Sequence, residues 1–321
     1  MTFNIIITDY TYPDLKIERN VLSTIDATVT AIDATTSAEI VERATDADAL
    51  INQQVPIDEN VFEALSNLRV VARYGVGVDN VDLSAATEHG ITVANVPSYC
   101  EEEVSTHALA LLLAVTRNVV SYDEHVGAGG WDWKVGAPIH RLEGKTLGLV
   151  AFGAIPQALR QKIRGFDLEI LAYDEYLSTD VFEAHDVEQV SFWELLERSD
   201  AVSVHAPLTE ETENLFDRKA FAAMRSSAVL VNTARGPIVD EQALAEAVRD
   251  GEIAGAGIDV FPNEPPSNSS LFDLDKVVCT PHVAWYSEES LTELRRKTAE
   301  NVARVLKGDD PINRVNTPVA D

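Results

Sequence analysis

Residues 144–174, GKTLGLVAFGAIPQALRQKIRGFDLEILAYD, constrain the fold more than any other stretch of the chain. Residues 146–152 form an apolar run with the length and composition of a strand buried on both faces, and residues 156–164 change to helical spacing. Between them a turn surrounds Gly153. Asp174 closes the next apolar run about 20 residues after that glycine, where a βαβ unit presents a carboxylate to the 2′-hydroxyl of an adenosine ribose. A G-x-G-x-x-G fingerprint needs glycines where this chain has Ala151, Gly153 and Pro156. The middle glycine is the one that lets backbone approach a pyrophosphate, and proline is accepted in a first helical turn because its N–H would be unpaired anyway. The outline is that of a dinucleotide site; the stretch by itself also fits any strand-turn-helix of an α/β protein.

The same alternation continues on both sides, and 321 residues suit two such domains. Upstream, residues 5–8, 27–32, 49–52, 68–73 and 92–95 read as strands, with helical stretches such as 38–44 and 85–89 between them. Ser98 and Glu101 form a capping box after Pro97 that opens a helix to about Arg117, the expected bridge into the second domain. Downstream, strands over 201–204, 228–232, 256–259 and 277–279 end in HAPLT, TARG, VFPNEP and TPHVAW, and Asp240 caps a helix that stops at Gly251. No strand follows the last helix, about 288–306, so it is free to return to the first domain. Trp131 and Trp133 fall in an irregular loop, where indoles serve either a subunit interface or packing on their own chain.

Charge narrows the range of partners. With 25 Lys+Arg against 53 Asp+Glu, a net charge of −28 disfavours nucleic acid and anionic membrane. Only eight of the cations are lysine, and an acidic, lysine-poor surface points to a salt-loving organism. Cys100 and Cys279 lie far apart without a CxxC or Cys/His cluster, as expected of reduced thiols in a cytoplasmic protein. The N-terminus reads as a strand and not as a signal peptide, and the most apolar run, 107–115, is too short to span a bilayer.

The strand ends carry the candidate chemistry. Arg235 in NTARG offers a guanidinium fork for a carboxylate, with an ordinary ion pair as the competing reading. Pro265 and Pro281 stiffen the loops that aim Glu264 and His282. In RYGVGVDNVD, Gly75 and Gly77 follow a strand end, where successive N–H groups can cradle an anion beside Arg73. A histidine, a glutamate and an arginine at neighbouring strand ends point to catalysis more strongly than any one of them does.

Seven stretches, RYGVGVDNVD, NVPSYCEEEVSTHALALLL, GKTLGLVAFGAI, DAVSVHAPLTEETENLF, NTARGPIVDEQAL, GAGIDVFPNEPP and TPHVAWYSEES, resemble the D-isomer-specific 2-hydroxyacid dehydrogenase family in order and spacing. The last two are similar to the branch holding glycerate dehydrogenases and C-terminal-binding-protein corepressors, in which a tryptophan, here Trp285, follows the histidine. The resemblance implies two doubly wound parallel-sheet α/β domains: a flavodoxin-like substrate domain of 1–98 and 287–321, and an inserted Rossmann cofactor domain of 99–286. It implies His282 as acid/base, Glu264 as its orienting partner and Arg235 as the clamp on the substrate carboxylate. Arg73, Gly75, Val76, Gly77 and Trp285 fall at substrate-facing positions. Val104, Gly153, Ala154, Ile155, Asp174, His205, Pro207, Thr233, Ala234 and Asp259 fall at cofactor positions, with Thr233 and Asp259 on the nicotinamide side. No metal is implied, and a homodimer is.

Such a chain would interconvert a small 2-oxo acid and a D-2-hydroxy acid. Glu264 would favour the imidazolium of His282, so reduction should fade as pH rises. Asp174 favours NAD by repelling a 2′-phosphate, although high salt would screen that repulsion and NADP use stays open. Two other readings stand beside this one: a dinucleotide-sensing binding protein of corepressor type, and 3-phosphoglycerate dehydrogenase.

Overall fold

The computed structural model describes residues 2–317. The chain divides into two compact units, Met1–Cys100 with Ser287–Asp321, and Glu101–Tyr286. The first unit thus runs to Cys100, and the resemblance implied a domain to about Ser98.

The first unit holds five parallel strands, β1 (Phe3–Ile7), β2 (Ala27–Ala31), β3 (Ala49–Asn52), β4 (Val70–Arg73) and β5 (Thr92–Ala94), in the order β2-β1-β3-β4-β5. This is the flavodoxin-like order, and it puts the ends of β1, β3 and β4 side by side. The connecting helices start where short polar side chains replace missing backbone partners. Thr36, Asp58 and Asp82 accept first-turn N–H groups of the helices Ser37–Arg43, Glu59–Ala64 and Leu83–Glu88. Ile40, Leu50, Val61, Phe62, Leu65 and Val71 fill a core on one side of the sheet, each worth roughly 1.5–3 kcal/mol when fully buried.

The last helix, Glu288–Lys307, packs against the helix Lys16–Leu22 and against β4, as the sequence anticipated. A fully buried ion pair joins the two helices: Arg295 donates from Nε and Nη2 to Glu18 at 2.7 and 2.8 Å. Tyr74, the residue after β4, donates its hydroxyl to the same carboxylate at 2.9 Å. The pair therefore fixes the exit of β4 from behind.

The second unit holds β6 (Thr146–Val150), β7 (Glu169–Tyr173), β8 (Glu188–Gln189), β9 (Ala201–Val204), β10 (Val229–Asn232), β11 (Gly255–Ile258) and β12 (Val277–Cys279). All are parallel, in the order β12-β11-β10-β9-β6-β7-β8, which is the Rossmann order with one extra edge strand. Every residue of β6, β9, β10 and β11 is buried, as helices on both faces require. The edge strand β8 was not expected from sequence, because two exposed polar residues carry no strand pattern. The helix Glu101–Thr116 starts after the expected cap: Ser98 accepts from Lys297 Nζ through its hydroxyl and carbonyl, so the anticipated capping box is not its role. Asp240 does cap the helix Glu241–Asp250, which ends at Gly251 with φ +75°. Trp131 and Trp133 are 90 % and 72 % exposed within their unit. No single helix among the described residues is long and apolar enough to cross a membrane.

Removing one partner of a buried ion pair leaves the other charged and unsatisfied. Glu18→Ala should cost about 3–5 kcal/mol in urea denaturation, whereas replacing Glu18 and Arg295 together by Leu and Met should recover most of that loss. Equal losses in the single and double variants would contradict this account.

Candidate active site

The second unit brings Arg235, Glu264 and His282 together. His282 Nδ1 and Glu264 Oε2 are 2.6 Å apart, with both side chains about one-third exposed. Glu264 is fixed from its other oxygen, where Oε1 accepts from Phe261 N at 2.9 Å. Burial works to raise the Glu264 carboxyl. The hydrogen bond and charge of His282, the Phe261 N–H and the charge of Arg235 outweigh it, leaving the group below its usual value of 4.5.

A close approach of backbone helps make this geometry. Gly236 follows Arg235, and a Cβ there would sit 2.0 Å from the carbonyl carbon of Phe261; only glycine lets the Arg235 loop lie against the segment that leads to Glu264. Arg235 is anchored as well, donating from Nη1 to Ala234 O at 2.8 Å and accepting at its carbonyl from Asn232 Nδ2 at 2.9 Å. His282 has φ +51°, a left-handed conformation that costs a histidine energy and persists only where its surroundings enforce it.

Asp259 enforces it. Its carbonyl accepts from His282 N at 2.7 Å, Oδ1 accepts from Thr280 Oγ1 at 2.5 Å and Val283 N at 3.0 Å, and Oδ2 accepts from Ala284 N at 2.9 Å. His107 Nε2 reaches Thr280 Oγ1 at 2.9 Å and stands 3.6 Å from Oδ1. The resemblance put Asp259 on the nicotinamide side. Its side chain has no exposed surface, so it acts through the loop it holds and not by direct contact. The roles of Asp259 as a brace and of Gly236 and His107 as supports are invisible in sequence, apart from the glycine of TARG.

The cofactor positions form a second group. Gly153 caps the helix Ala154–Lys162, and a Cβ there would meet nothing within 4 Å, so the turn is open in front of the helix start. Ala154 and Ile155 are its first two residues, and Pro156 is accommodated in the same turn. Ala151 has φ +69°, so alanine occupies the conformation for which the fingerprint uses glycine. Asp174 braces the turn: Oδ2 accepts from Phe152 N at 2.9 Å, and Oδ1 accepts from Tyr176 N and Leu177 N at 2.9 and 3.2 Å. A carboxylate has about four acceptor sites, which leaves one for a ribose hydroxyl. Tyr176 donates to Glu211 at 3.0 Å, bringing a further carboxylate to this corner.

At the ends of β9 and β10, His205 pairs with Ser203 Oγ at 2.9 Å, and burial lowers its imidazole to about 3, so the ring is neutral. Pro207 is exposed and accepts from Thr212 Oγ1 at 2.6 Å. The Thr233 hydroxyl is buried with no hydrogen-bond partner among the described residues, and Ala234 beside it is half-buried. Val104 is buried in the first turn of the helix Glu101–Thr116. An open glycine turn, a carboxylate with one site left and an orphaned threonine hydroxyl at the end of β10 in the same sheet fit a dinucleotide. Trp285 is half-buried, with the Tyr286 ring edge-on at 5.6 Å.

In the first unit, Arg73, Gly75, Val76 and Gly77 gather at the end of β4. Gly75 has φ +142°, and a Cβ there would lie 1.6 Å from Arg73 Nη1, so the guanidinium folds across a position that only glycine leaves clear. Asn95 Nδ2 donates to Val76 O and holds the turn.

The family model described as D-isomer specific 2-hydroxyacid dehydrogenase, NAD binding domain, matches residues 109–284. The chain belongs to the D-isomer specific 2-hydroxyacid dehydrogenase family. It is an oxidoreductase with a Rossmann-type NAD domain. Among its relatives, a glyoxylate reductase of Korarchaeum cryptofilum is 42 % identical over 87 % of this chain and 86 % of its own length. A D-3-phosphoglycerate dehydrogenase of Methanocaldococcus jannaschii is 38 % identical over 88 % of this chain, which spans 54 % of that longer protein. The structure of D-lactate dehydrogenase from Aquifex aeolicus, solved with NAD and lactic acid, superposes with a TM-score of 0.89 at 26 % identity, covering 98 % of this chain and 100 % of that one.

Two outcomes are expected from this geometry. Left-handed alanine costs about 1–2 kcal/mol, partly offset by the stiffer unfolded chain, so Ala151→Gly should raise stability by up to about 1 kcal/mol in denaturant titration and leave NADH affinity unchanged. Tighter NADH binding without added stability would show that the turn itself is altered. Because the folded Glu264 carboxyl lies below 4.5, its contribution is complete above that pH and is lost as pH falls through the folded value. The stability gap between wild type and Glu264→Gln should close below about pH 4.5, as measured by denaturation across pH.

Proposed function

We propose that the protein reduces a short 2-oxo acid to the D-2-hydroxy acid with NADH, and runs the reverse oxidation as conditions demand. The 2.6 Å pairing of His282 with Glu264, in loops abutting that of Arg235, carries this reading. Glu264 holds Nδ1 and so turns Nε2 of His282 to the substrate, giving a proton to the developing alkoxide in reduction and taking it back in oxidation. Arg235 grips the substrate carboxylate and polarises the adjacent carbonyl. In the first unit, Arg73 and the Gly75, Val76, Gly77 turn are assigned to substrate, through the Val76 and Gly77 N–H groups since that of Gly75 donates to Arg73 O at 3.0 Å, and in the second Trp285 is assigned to bound the substrate. Gly153, Ala154 and Ile155 hold the pyrophosphate, Asp174 a ribose hydroxyl, and Thr233 and Ala234 the nicotinamide side, with Val104, His205 and Pro207 walling the site. The bound cofactor supplies the hydride. NAD is preferred to NADP because Asp174, Glu175 and Glu211 stack negative charge at the ribose corner.

Glyoxylate is favoured as substrate because the 42 % identical relative is a glyoxylate reductase whose length this chain nearly spans, and hydroxypyruvate because of the resemblance to glycerate dehydrogenases. Phosphohydroxypyruvate is the second reading, on the similarity to the phosphoglycerate dehydrogenase. We also assign the protein to a cytoplasmic, halophilic setting and a homodimer; sedimentation as a single 35.1 kDa chain would remove the dimer.

The test is NADH oxidation against these three acids at low and molar salt, repeated with NADPH. Turnover of glyoxylate or hydroxypyruvate, faster in molar salt, is expected. His282→Ala and Arg235→Ala should each lose about 10²–10⁴ in kcat while NADH binding holds within a few-fold. Wild-type protein that binds NADH and turns over none of the acids would favour the sensing protein instead.

A further inference from the structure

The two N–H groups that the turn after β4 has to offer are aimed by hydrogen bonds on its other side. The carbonyl of Gly75 accepts from Val96 N at 2.9 Å, and that of Val76 accepts from Asn95 Nδ2 at 2.5 Å. Two successive carbonyls therefore face the residues that follow β5. Both peptides are trans, and in a trans peptide the N–H points opposite to the C=O, so the N–H groups of Val76 and Gly77 are turned away from those residues together. Neither donates to another described residue.

Asn95 is itself held so that it presents a donor to the turn. The residue is buried, its Oδ1 accepts from Asn313 Nδ2, and its backbone carbonyl accepts from Asn301 Nδ2 at 3.0 Å. A flipped Asn95 amide would set Oδ1 against the carbonyl oxygen of Val76, an acceptor facing an acceptor. The chain beyond the last helix puts Asn313 in place. Ile312 N donates to Asn301 Oδ1 at 2.8 Å, Val315 N donates to Val93 O at 2.9 Å, and Asn316 Oδ1 accepts from Val93 N at 2.7 Å, so this segment lies along β5. Asn301 and Asn316 serve the backbone of β5 and its end. The line from Asn313 through Asn95 ends instead on the turn.

We propose that Asn95 is a positioning residue for substrate, locked by Asn313: by holding the Val76 carbonyl it aims the Gly77 N–H, beside that of Val76, at the carboxylate of the 2-oxo acid. This deepens the function proposed above and rests on the assignment of this turn to substrate. Asn95 acts through the turn and does not touch the acid. The carboxylate is bound in the ground state and the transition state alike, so the two asparagines govern KM and leave kcat alone.

Asn95→Ala and Asn313→Ala, singly and together, test this with whichever of the three acids the wild type reduces. KM for the acid should rise about tenfold in Asn95→Ala and several-fold in Asn313→Ala, with kcat and NADH affinity unchanged. The double variant should match Asn95→Ala, because Asn313 acts only through Asn95. KM does not depend on how much of a preparation is folded, so a loss of stability alone leaves it at the wild-type value, and Asn313→Ala carries the test if Asn95→Ala does not fold. A wild-type KM in either single variant overturns the inference, as does a double variant in which the two effects multiply. A wild type that reduces none of the acids overturns the function itself, and this inference with it.

Discussion

A carboxylate with no access to water has to be satisfied by the chain around it, and at Asp259 that requirement shapes the loop that carries His282. The residue follows β11, a strand whose every position is buried, so its side chain cannot turn outward. Thr280, Val283 and Ala284 supply the donors, and all of them belong to the segment after β12 that carries His282. Removing water from a charge costs several kcal/mol unless hydrogen bonds replace it. That demand is enough to hold His282 at φ +51°. The imidazole is thus oriented twice, through its backbone by Asp259 and through Nδ1 by Glu264.

The same logic explains which parts of the molecule were legible in the sequence. The strands of both sheets other than β8 were legible from alternation, because a parallel strand covered on both faces must be an unbroken apolar run, whereas the doubly wound architecture came with the family resemblance. Arg235, Glu264 and His282 were legible because each follows a strand end, Glu264 and His282 beside a proline that stiffens its loop. The brace at Asp259 was not, since the partners that consume its carboxylate lie more than 20 residues on and are mostly backbone N–H groups, which have no sequence signature. The start of the helix Glu101–Thr116 was misplaced for a related reason. Ser98 and Glu101 have capping-box spacing, but Lys297, distant in sequence, takes the Ser98 oxygens, and tertiary contact overrides the local pattern.

The glycine turn shows a different relation between sequence and geometry. Alanine at position 151 reads as a departure from a dinucleotide fingerprint, yet its N–H bonds to Tyr173 O at 2.8 Å and its φ is the one a glycine would adopt. The ladder between β6 and β7 and the carboxylate of Asp174 fix the turn from the far side, so the side chain at 151 changes what the conformation costs and not what it is. Gly153 is different in kind, because the space in front of it is what a phosphate would need.

A chain of net charge −28 that binds an anionic substrate and an anionic cofactor works against its own field. Long-range attraction is absent, so recognition has to rest on donors placed at contact distance. The structure meets this by immobilising its few cations and by using backbone. Arg73 is laid across Gly75, Arg235 is tied to Ala234 and Asn232, and the Gly153 turn offers N–H groups at a helix start. Salt that screens the surface, with a Debye length of about 3 Å at 1 M, weakens the repulsion between this surface and an approaching anion far more than it weakens contacts already made in a buried site. A strongly acidic surface and a selective anion site are therefore compatible where salt is high.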